Sequence, residues 1–258
     1  MKVAFVGAKG KMGQSMIAGV LPEKDMEIVG AVDLKEIGTP MVVGSEVMVE
    51  SDLETMLKEK DPDIVVDFTS PLVIKENIMK ILAAKKHAVV GTTGLSSEDL
   101  KEIDEEARSV GRVVFVAPNF ALGAVLMMDF AARAVKYFPN VEVIELHHDQ
   151  KKDAPSGTAV KTLEMMAKER TKHHQGQADE MEKISGSRGG DFEGMRVHSV
   201  RLPGYVAHQE VIFGDKGQTL TIRHDSMSRD SFVAGLLLAI RSISDQTPGL
   251  VYGLENIL

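Results

Sequence analysis

The chain has 258 residues, of which 43% are apolar and 26% charged, with a formal net charge of −8 and no cysteine. That length buries a substantial core, as one large domain or two modest ones, and the negative balance opposes non-specific binding to nucleic acid or to an anionic membrane. The lack of cysteine excludes disulfides, thiolate nucleophiles, thiolate zinc sites and reduction through a cysteine thioester. No run of about 18 apolar residues is present, so no transmembrane helix is expected. The chain opens as a buried strand, Lys2-Val3-Ala4-Phe5-Val6, with no long apolar run and no small-residue cleavage site. No signal peptide is therefore read, and the expected location is the cytoplasm.

In chain order, short apolar runs at Val3 to Val6, Glu27 to Val32, Asp63 to Phe68, Ala88 to Val90 and Val113 to Val116 alternate with helical patterns. The helical patterns include Lys11 to Leu21, Val73 to Ala84 and Ser97 to Val110. Continuous apolar strands separated by helices predict an α/β fold, a Rossmann-like doubly wound parallel sheet covered on both faces. The pattern changes near Ala121. A helix is predicted from Ala124 to Tyr137, a strand from Val141 to Leu146, and a helix from Ser156 to Lys168 entered through Pro155-Ser156-Gly157-Thr158. The segment 169–194 is charged and glycine-rich, and its later part reads as a mobile loop. From Arg196 to Arg223 alternation dominates, with a hairpin at Gly214-Asp215-Lys216-Gly217. A last helix, Asp230 to Ile243, precedes a short tail. The predicted organisation is a dinucleotide-binding domain of residues 1–121 and 229–258, and a second α+β domain with a mixed sheet at 122–228. The last helix closes back on the first domain because a strand-rich middle segment needs a return path.

The strongest cofactor signal is Gly7-Ala8-Lys9-Gly10-Lys11-Met12-Gly13, which follows the first strand and opens a helix. Spaced glycines let the backbone turn tightly and approach a pyrophosphate, which the N–H groups and dipole of the helix start then bind. The spacing is Gly-x-x-Gly-x-x-Gly rather than the Gly-x-Gly-x-x-Gly fingerprint, and taken alone it also suits an ordinary strand–helix corner. Asp33 ends the second strand, where an acidic side chain accepts from a ribose hydroxyl; its plainer role is that of a strand-end turn residue. Asp33 favours an unphosphorylated ribose, while Lys9, Lys11 and Lys35 offset its repulsion of a 2′-phosphate, so NADH is expected to be used well and NADPH tolerated. The turns Gly91-Thr92-Thr93-Gly94 and Ala117-Pro118-Asn119-Phe120 follow later strands, where ligands of open parallel sheets sit. Each by itself also fits plain turn chemistry.

The chemistry concentrates in residues 145–159, Glu145-Leu146-His147-His148-Asp149-Gln150-Lys151-Lys152-Asp153-Ala154-Pro155-Ser156-Gly157-Thr158-Ala159. Ser156, Gly157 and Thr158 offer hydroxyls and N–H groups at a helix start, a nest for a carboxylate. Lys151 adds a full positive charge. In an acidic protein, donors gathered in this way point to an anionic substrate. His147 or His148 is a proton donor near neutral pH, or the two form a structural pair at a strand end. Adjacent histidines on a strand point to opposite faces, so a shared metal is not expected. Ser156 lacks the Gly-x-Ser-x-Gly elbow of a hydrolase nucleophile and suits an N-cap. His173-His174 lies in a charged loop and reads as solvated.

The run from His147-His148 through Lys151 to Asp153-Ala154-Pro155-Ser156-Gly157-Thr158-Ala159 closely resembles the signature of the 4-hydroxy-tetrahydrodipicolinate reductase (dihydrodipicolinate reductase) family. Similar in order along nearly the whole chain are Gly7-x-x-Gly10-x-Met12-Gly13, Gly91-Thr92-Thr93-Gly94, Pro118-Asn119-Phe120, Arg201-Leu202-Pro203-Gly204, His208, Phe213-Gly214 and Ile222-Arg223-His224-Asp225-Ser226. The resemblance implies reduction of the cyclic dicarboxylate of the diaminopimelate route to lysine, by hydride from NADH or NADPH to ring carbon C4 with loss of water. It implies that His147 is the proton donor and Lys151 the catalytic lysine. It also implies that His148, Lys151, Ser156, Gly157 and Thr158 hold the substrate carboxylates. Cofactor contacts are implied for Gly7, Ala8, Lys9, Gly10, Lys11, Met12, Asp33, Gly91, Thr92, Thr93, Pro118, Asn119, Phe120 and Ala121. A homotetramer joined through the second domain's sheet is implied as well. Lys11, Ala121 and the pair Asp149-Gln150 depart from the residues common in that family, but none removes a group the reaction needs.

On this reading a planar imine dicarboxylate is gripped by Lys151 and the helix start, and His147 returns the proton. Closure of the second domain over the cofactor, with hinges near Ala121 and Arg229, is a further expectation. Two other readings compete. A different nicotinamide oxidoreductase, acting on an amino acid or a sugar, keeps the glycine turn but leaves the Ser156-Gly157-Thr158 nest beside two histidines unexplained. A non-catalytic NADH sensor predicts tight cofactor binding without turnover.

Overall fold

The computed structural model describes residues 1–258. The chain divides into two compact units, residues 1–122 with 229–258 and residues 123–228. In the first unit the strands are β1 (Lys2–Val6), β2 (Glu27–Val32), β3 (Val49–Glu50), β4 (Ile64–Asp67), β5 (His87–Val90), β6 (Val113–Val116) and β12 (Gly249–Tyr252). The helices are α1 (Lys11–Val20), α2 (Leu53–Lys60), α3 (Ile74–Ala83), α4 (Ser97–Ser109) and α7 (Val233–Ser242). The strands form one sheet in the order β12-β6-β5-β4-β1-β2-β3, and every pairing is parallel.

The sequence explains that arrangement directly. β4 and β6 read IVVD and VVFV and are buried at every position. Strands covered on both faces lose the alternation of polar and apolar residues that an open sheet shows. On one face Ala4, Val6, Val65, Val90 and Val114 pack with Ile74, Ile78, Leu82 and Ile103 from α3 and α4. Val3 and Phe5 alternate to the opposite face, where α1 and α7 pack against each other. Helix starts are written locally. Asp52 caps α2 by accepting from the Thr55 N–H at 2.7 Å. Ser96 and Asp99 form a reciprocal capping box at α4.

In the second unit, α5 (Leu122–Ala134) and α6 (Gly157–Glu169) accompany a five-stranded sheet. Its strands are β7 (Asn140–His147), β8 (Gly190–Phe192), β9 (Met195–Arg201), β10 (Ala207–Asp215) and β11 (Gln218–Ser226). The order is β11-β10-β7-β9-β8; β7 and β9 run parallel and the other pairs antiparallel, so the sheet is mixed. Val141, Val143, Val197, Val211 and Phe213 are buried on one face. On the other, Ile144, Leu146, Val200 and Ile212 stay half-buried among Glu142, Arg196, His198 and Glu210. The β10–β11 hairpin turns through Lys216-Gly217, with Gly217 at φ +77°.

Several sequence expectations need correction. The short tail contains β12, which adds to the sheet edge beside β6, and its Leu250 N–H donates to Asp104 at 2.8 Å. Four residues, Gly-Leu-Val-Tyr, are too few to show a periodicity, and only the neighbouring strand makes them a strand. For the same reason the two-residue β3 escapes the pattern, and α2 was not predicted either. Part of the segment read as a mobile loop is ordered as β8, which pairs with β9. The helix expected at Ala124 to Tyr137 spans Leu122–Ala134, and the last helix begins with a 3₁₀ turn, Arg229–Phe232. Asp33 lies one residue beyond β2 rather than ending it.

Candidate active site

In the first unit the chain runs from β1 to β2 on one side and later returns to β4 on the other, so the order reverses at β1. Ligand crevices of open α/β sheets form at such a reversal, beyond the carboxyl ends of the strands. Gly7 to Met12 occupy that place. Gly7 adopts φ +80°, and a Cβ there would meet the Phe68 carbonyl oxygen at 2.5 Å. A Cβ on Gly13 would meet the Gly7 carbonyl oxygen at 2.2 Å, so the third glycine lets the helix pack closely on the turn. Ala8 is buried, Met12 half-buried and Lys11 exposed. Gly10 is the N-cap of α1 and brings no side chain to the helix start. The first N–H groups of the helix therefore have no capping side chain, which is the arrangement that binds an anion.

Asp33 is half-buried, and its carboxylate accepts the backbone N–H groups of Lys9 at 2.8 Å and Lys35 at 2.9 Å. It thereby ties the glycine turn to the loop after β2. The Lys9 ammonium donates to the Pro40 carbonyl and pairs with Glu36 at 2.9 Å. Thr92, after β5, is buried, and its hydroxyl donates to Asp67 at 3.0 Å. Asp67, at the end of β4, also accepts from Thr69 and Asn77; burial pushes its pKa up, against the pull of those hydrogen bonds. A Cβ on Gly91 would strike the Phe68 ring at 2.0 Å. Thr93 and Pro118 are exposed. The Asn119 side chain accepts the Ala121 N–H at 2.8 Å. Phe120 and Ala121 are buried, and Phe120 packs on Phe68 and Phe115, so only its backbone is available to a ligand.

In the second unit β7 delivers His147 as its last residue, and the chain turns through 148–155 into α6. Ser156 is the N-cap: it is buried, and its hydroxyl accepts the Ala159 N–H at 3.2 Å. That oxygen is committed to the helix, so the donors left for an anion are the N–H groups of the first turn at Gly157 and Thr158. Gly157 is exposed, with open space where a Cβ would be. The Lys151 ammonium pairs with Asp153 at 2.8 Å, and His148 is exposed. Glu145 is fully buried and joins these pieces. It meets His147 Nδ1 at 2.5 Å, accepts the Ser156 N–H at 3.2 Å, and is forked by the Arg201 guanidinium at 2.6 and 2.8 Å. Burial is the largest influence on Glu145 and raises its pKa; bonds from Arg201, Ser199 and His147 outweigh it and hold the carboxyl below the usual glutamate value. Burial also pulls His147 below the usual histidine value. Lys151 and Arg201 add to that pull, and Glu145 opposes it.

Sequence reasoning gave Glu145 and Arg201 no role. The signal was available for Glu145: residues two apart on a strand share a face, so an acid two before a histidine on β7 lies beside it. Arg201 arrives from β9 through its pairing with His147, a long-range contact that no local pattern encodes. His173, read as solvated, bonds to Asn140 at 2.7 Å. It lines a concavity of about 710 Å³ with Arg170, whose guanidinium is spent on the carbonyls of Pro139, Glu193 and Gly194. That concavity contains none of the residues 145–158. No helix is long and apolar enough to cross a membrane, and no group of three or more His, Cys, Asp or Glu residues could hold a metal ion.

Comparison with known proteins decides the family. The pattern of the family described as dihydrodipicolinate reductase, N-terminus, matches residues 1–120, and that of its C-terminus matches residues 123–258. The chain belongs to the dihydrodipicolinate reductase family. It is 55% identical over 263 residues to the 4-hydroxy-tetrahydrodipicolinate reductase of Listeria innocua, with both chains covered in full. It is 51% identical to the enzyme of the same name from Streptococcus pneumoniae, covering 100% of this chain and 99% of that one. A solved structure of dipicolinate-bound dihydrodipicolinate reductase from Paenisporosarcina sp. TG-14 superimposes with a TM-score of 0.93 at 45% identity. That match covers 100% of this chain and 99% of the other.

Proposed function

We propose that this reductase-family chain converts 4-hydroxy-tetrahydrodipicolinate to tetrahydrodipicolinate. One hydride and one proton are added, one water leaves, and a reduced nicotinamide dinucleotide becomes oxidised. The observation that carries the reading is that one buried acid in residues 145–158 joins a histidine able to carry a proton to a helix start able to receive an anion. Glu145 ties His147 to the start of α6, next to a lysine whose charge reaches His147. The family relatives named above carry this activity in their names, and one of them holds dipicolinate, a ring dicarboxylate.

The cofactor cradle fits the same reading. The glycine turn has no room for a Cβ at Gly7 or Gly13, and the helix start it leads into has no side-chain cap. Gly7, Ala8, Lys9, Gly10, Lys11 and Met12 would hold the pyrophosphate, and Asp33 the adenosine ribose. The backbone at Gly91, Thr92, Thr93 and Pro118 to Ala121 would line the nicotinamide end. When bound, the reduced nicotinamide supplies hydride to ring carbon C4. The chain's own residues do the rest. Lys151, His148 and the N–H groups of Gly157 and Thr158 grip the substrate carboxylates, with Ser156 holding that helix start in shape. His147 keeps a proton ready and delivers it as electron density moves toward the ring nitrogen. Fixing substrate and donor groups in place removes much of the entropic barrier.

With the ribose held at Asp33, that carboxylate and the nearby Glu36, which pairs with Lys9, would oppose a 2′-phosphate, while Lys9, Lys11 and Lys35 would offset the repulsion. NADH is thus the better cofactor and NADPH is accepted. An assay that makes the cyclic substrate in place and follows NADH or NADPH oxidation tests both statements. Substrate-dependent oxidation with a higher kcat/KM for NADH is expected; no oxidation despite tight NADH binding would refute the reductase reading, and a strong NADPH preference would show that the role given to Asp33 is wrong. The half-buried apolar residues Ile144, Leu146, Val200 and Ile212 on one face of the second sheet support assembly through that face, and we assign the chain a homotetramer.

A further inference from the structure

We propose that Glu145 is a positioning residue: it fixes His147 as the Nδ1–H tautomer, leaving Nε2 as the atom that carries the transferable proton, and it locks the start of α6 in the same grip. The inference rests on the proton-donor role of His147 given above. Glu145 and His147 are two apart on β7 and share a face. The carboxylate is fully buried and held by both terminal nitrogens of Arg201 from β9, a fork that favours the ionised, acceptor-only form. An ionised carboxylate 2.5 Å from Nδ1 can only accept, so Nδ1 must bear the hydrogen. The neutral ring then has a bare Nε2, and His147 donates only after Nε2 gains a second proton. The other oxygen, Oε1, accepts the Ser156 N–H at 3.2 Å. One buried acid therefore sets the state of the proton donor and the placement of the helix start proposed to hold the carboxylates.

The charged groups around His147 come from three directions. Glu145 lies on its own strand, Arg201 on β9, and Lys151 in the turn that follows; β10 presents only Ala207 opposite it. Glu145 is the sole anion among them. Its replacement by a neutral isostere leaves two cations to oppose an imidazolium.

Two measurements test the proposal. The first uses the wild-type chain and long-range ¹H–¹⁵N spectra of the His147 ring at alkaline pH. The expected pattern is a protonated Nδ1 and a bare Nε2; the reverse pattern overturns the proposal. This reading needs no turnover, so it stands or falls apart from the reductase assignment. The second compares pH profiles of kcat/KM for wild type and Glu145→Gln, with NADH affinity as a control. The alkaline limb is expected to move down by about one pH unit, a roughly ten-fold greater loss at high pH than at low pH, with NADH affinity unchanged. An equal loss at every pH would mark Glu145 as merely structural and refute the role. If Glu145→Gln fails to fold, the wild-type spectra alone decide.

Discussion

His147 and Lys151 are neighbours in the chain but make separable demands on the reaction. As the proposed proton donor, His147 would act in the transition state, so its loss should fall on turnover. Replacing it as His147→Gln is expected to lower kcat by about 10²- to 10⁴-fold, the usual worth of a positioned acid, with little change in NADH affinity. Lys151, proposed to hold the substrate before and during reaction, gives a different expectation: Lys151→Ala should lower kcat and raise KM together. Steady-state kinetics with a fluorescence titration of NADH check both, and wild-type-like kinetics in either variant would overturn the assigned roles. On the proposed role, the ionisation of His147 sets the pH dependence. A proton donor works while protonated, and burial lowers its pKa; activity therefore falls as pH rises through that lowered value.

Among the elements, α4 shows how local chemistry becomes pH-dependent stability. Asp99 closes the capping box with Ser96 and pairs with Lys75 of α3 at 2.8 Å. Its pKa is lowered from 3.8 to about 2, first by Lys75 and then by the Ser96 bonds. Because the folded value lies below the unfolded one, the contribution is fully present above pH 3.8 and disappears as pH falls through about 2. Asp99→Asn is therefore expected to melt at a lower temperature than wild type at pH 7, with the gap closing by about pH 2. Thermal denaturation across that range checks it. Salt should narrow the gap at pH 7, since the pair is solvent-accessible and screened. A gap that persists at pH 2 would show that the acid contributes by packing rather than by charge.

For the whole molecule, the second sheet has one face packed with buried valines and another whose apolar side chains stay half-buried among charges. Ile144 sits in the middle of that second face, on the central strand β7. Ile144→Asp is expected to dissociate the proposed tetramer while leaving the circular dichroism spectrum unchanged. Sedimentation velocity distinguishes the outcomes: an intact tetramer in the variant, or a monomeric wild type, would place assembly elsewhere or remove it.

The parallel sheet of the first unit was legible in the sequence because strands such as Val113 to Val116 are buried on both sides and so are written as unbroken apolar runs. The glycine turn and the Ser156 cap were legible too, since close backbone approach and helix capping constrain residue identity over three or four positions, and the run from His147 to Thr158 carried the family resemblance. What the sequence could not show depends on partners far away in the chain. β12 and β8 are too short to carry a period and become strands only through β6 and β9. Arg201 reaches Glu145 across 56 positions, and that contact turns an unremarked acid into the group that orders His147. Local periodicity records which face of an element is buried; which side chains meet across the sheet is settled only when tertiary pairing sets the register.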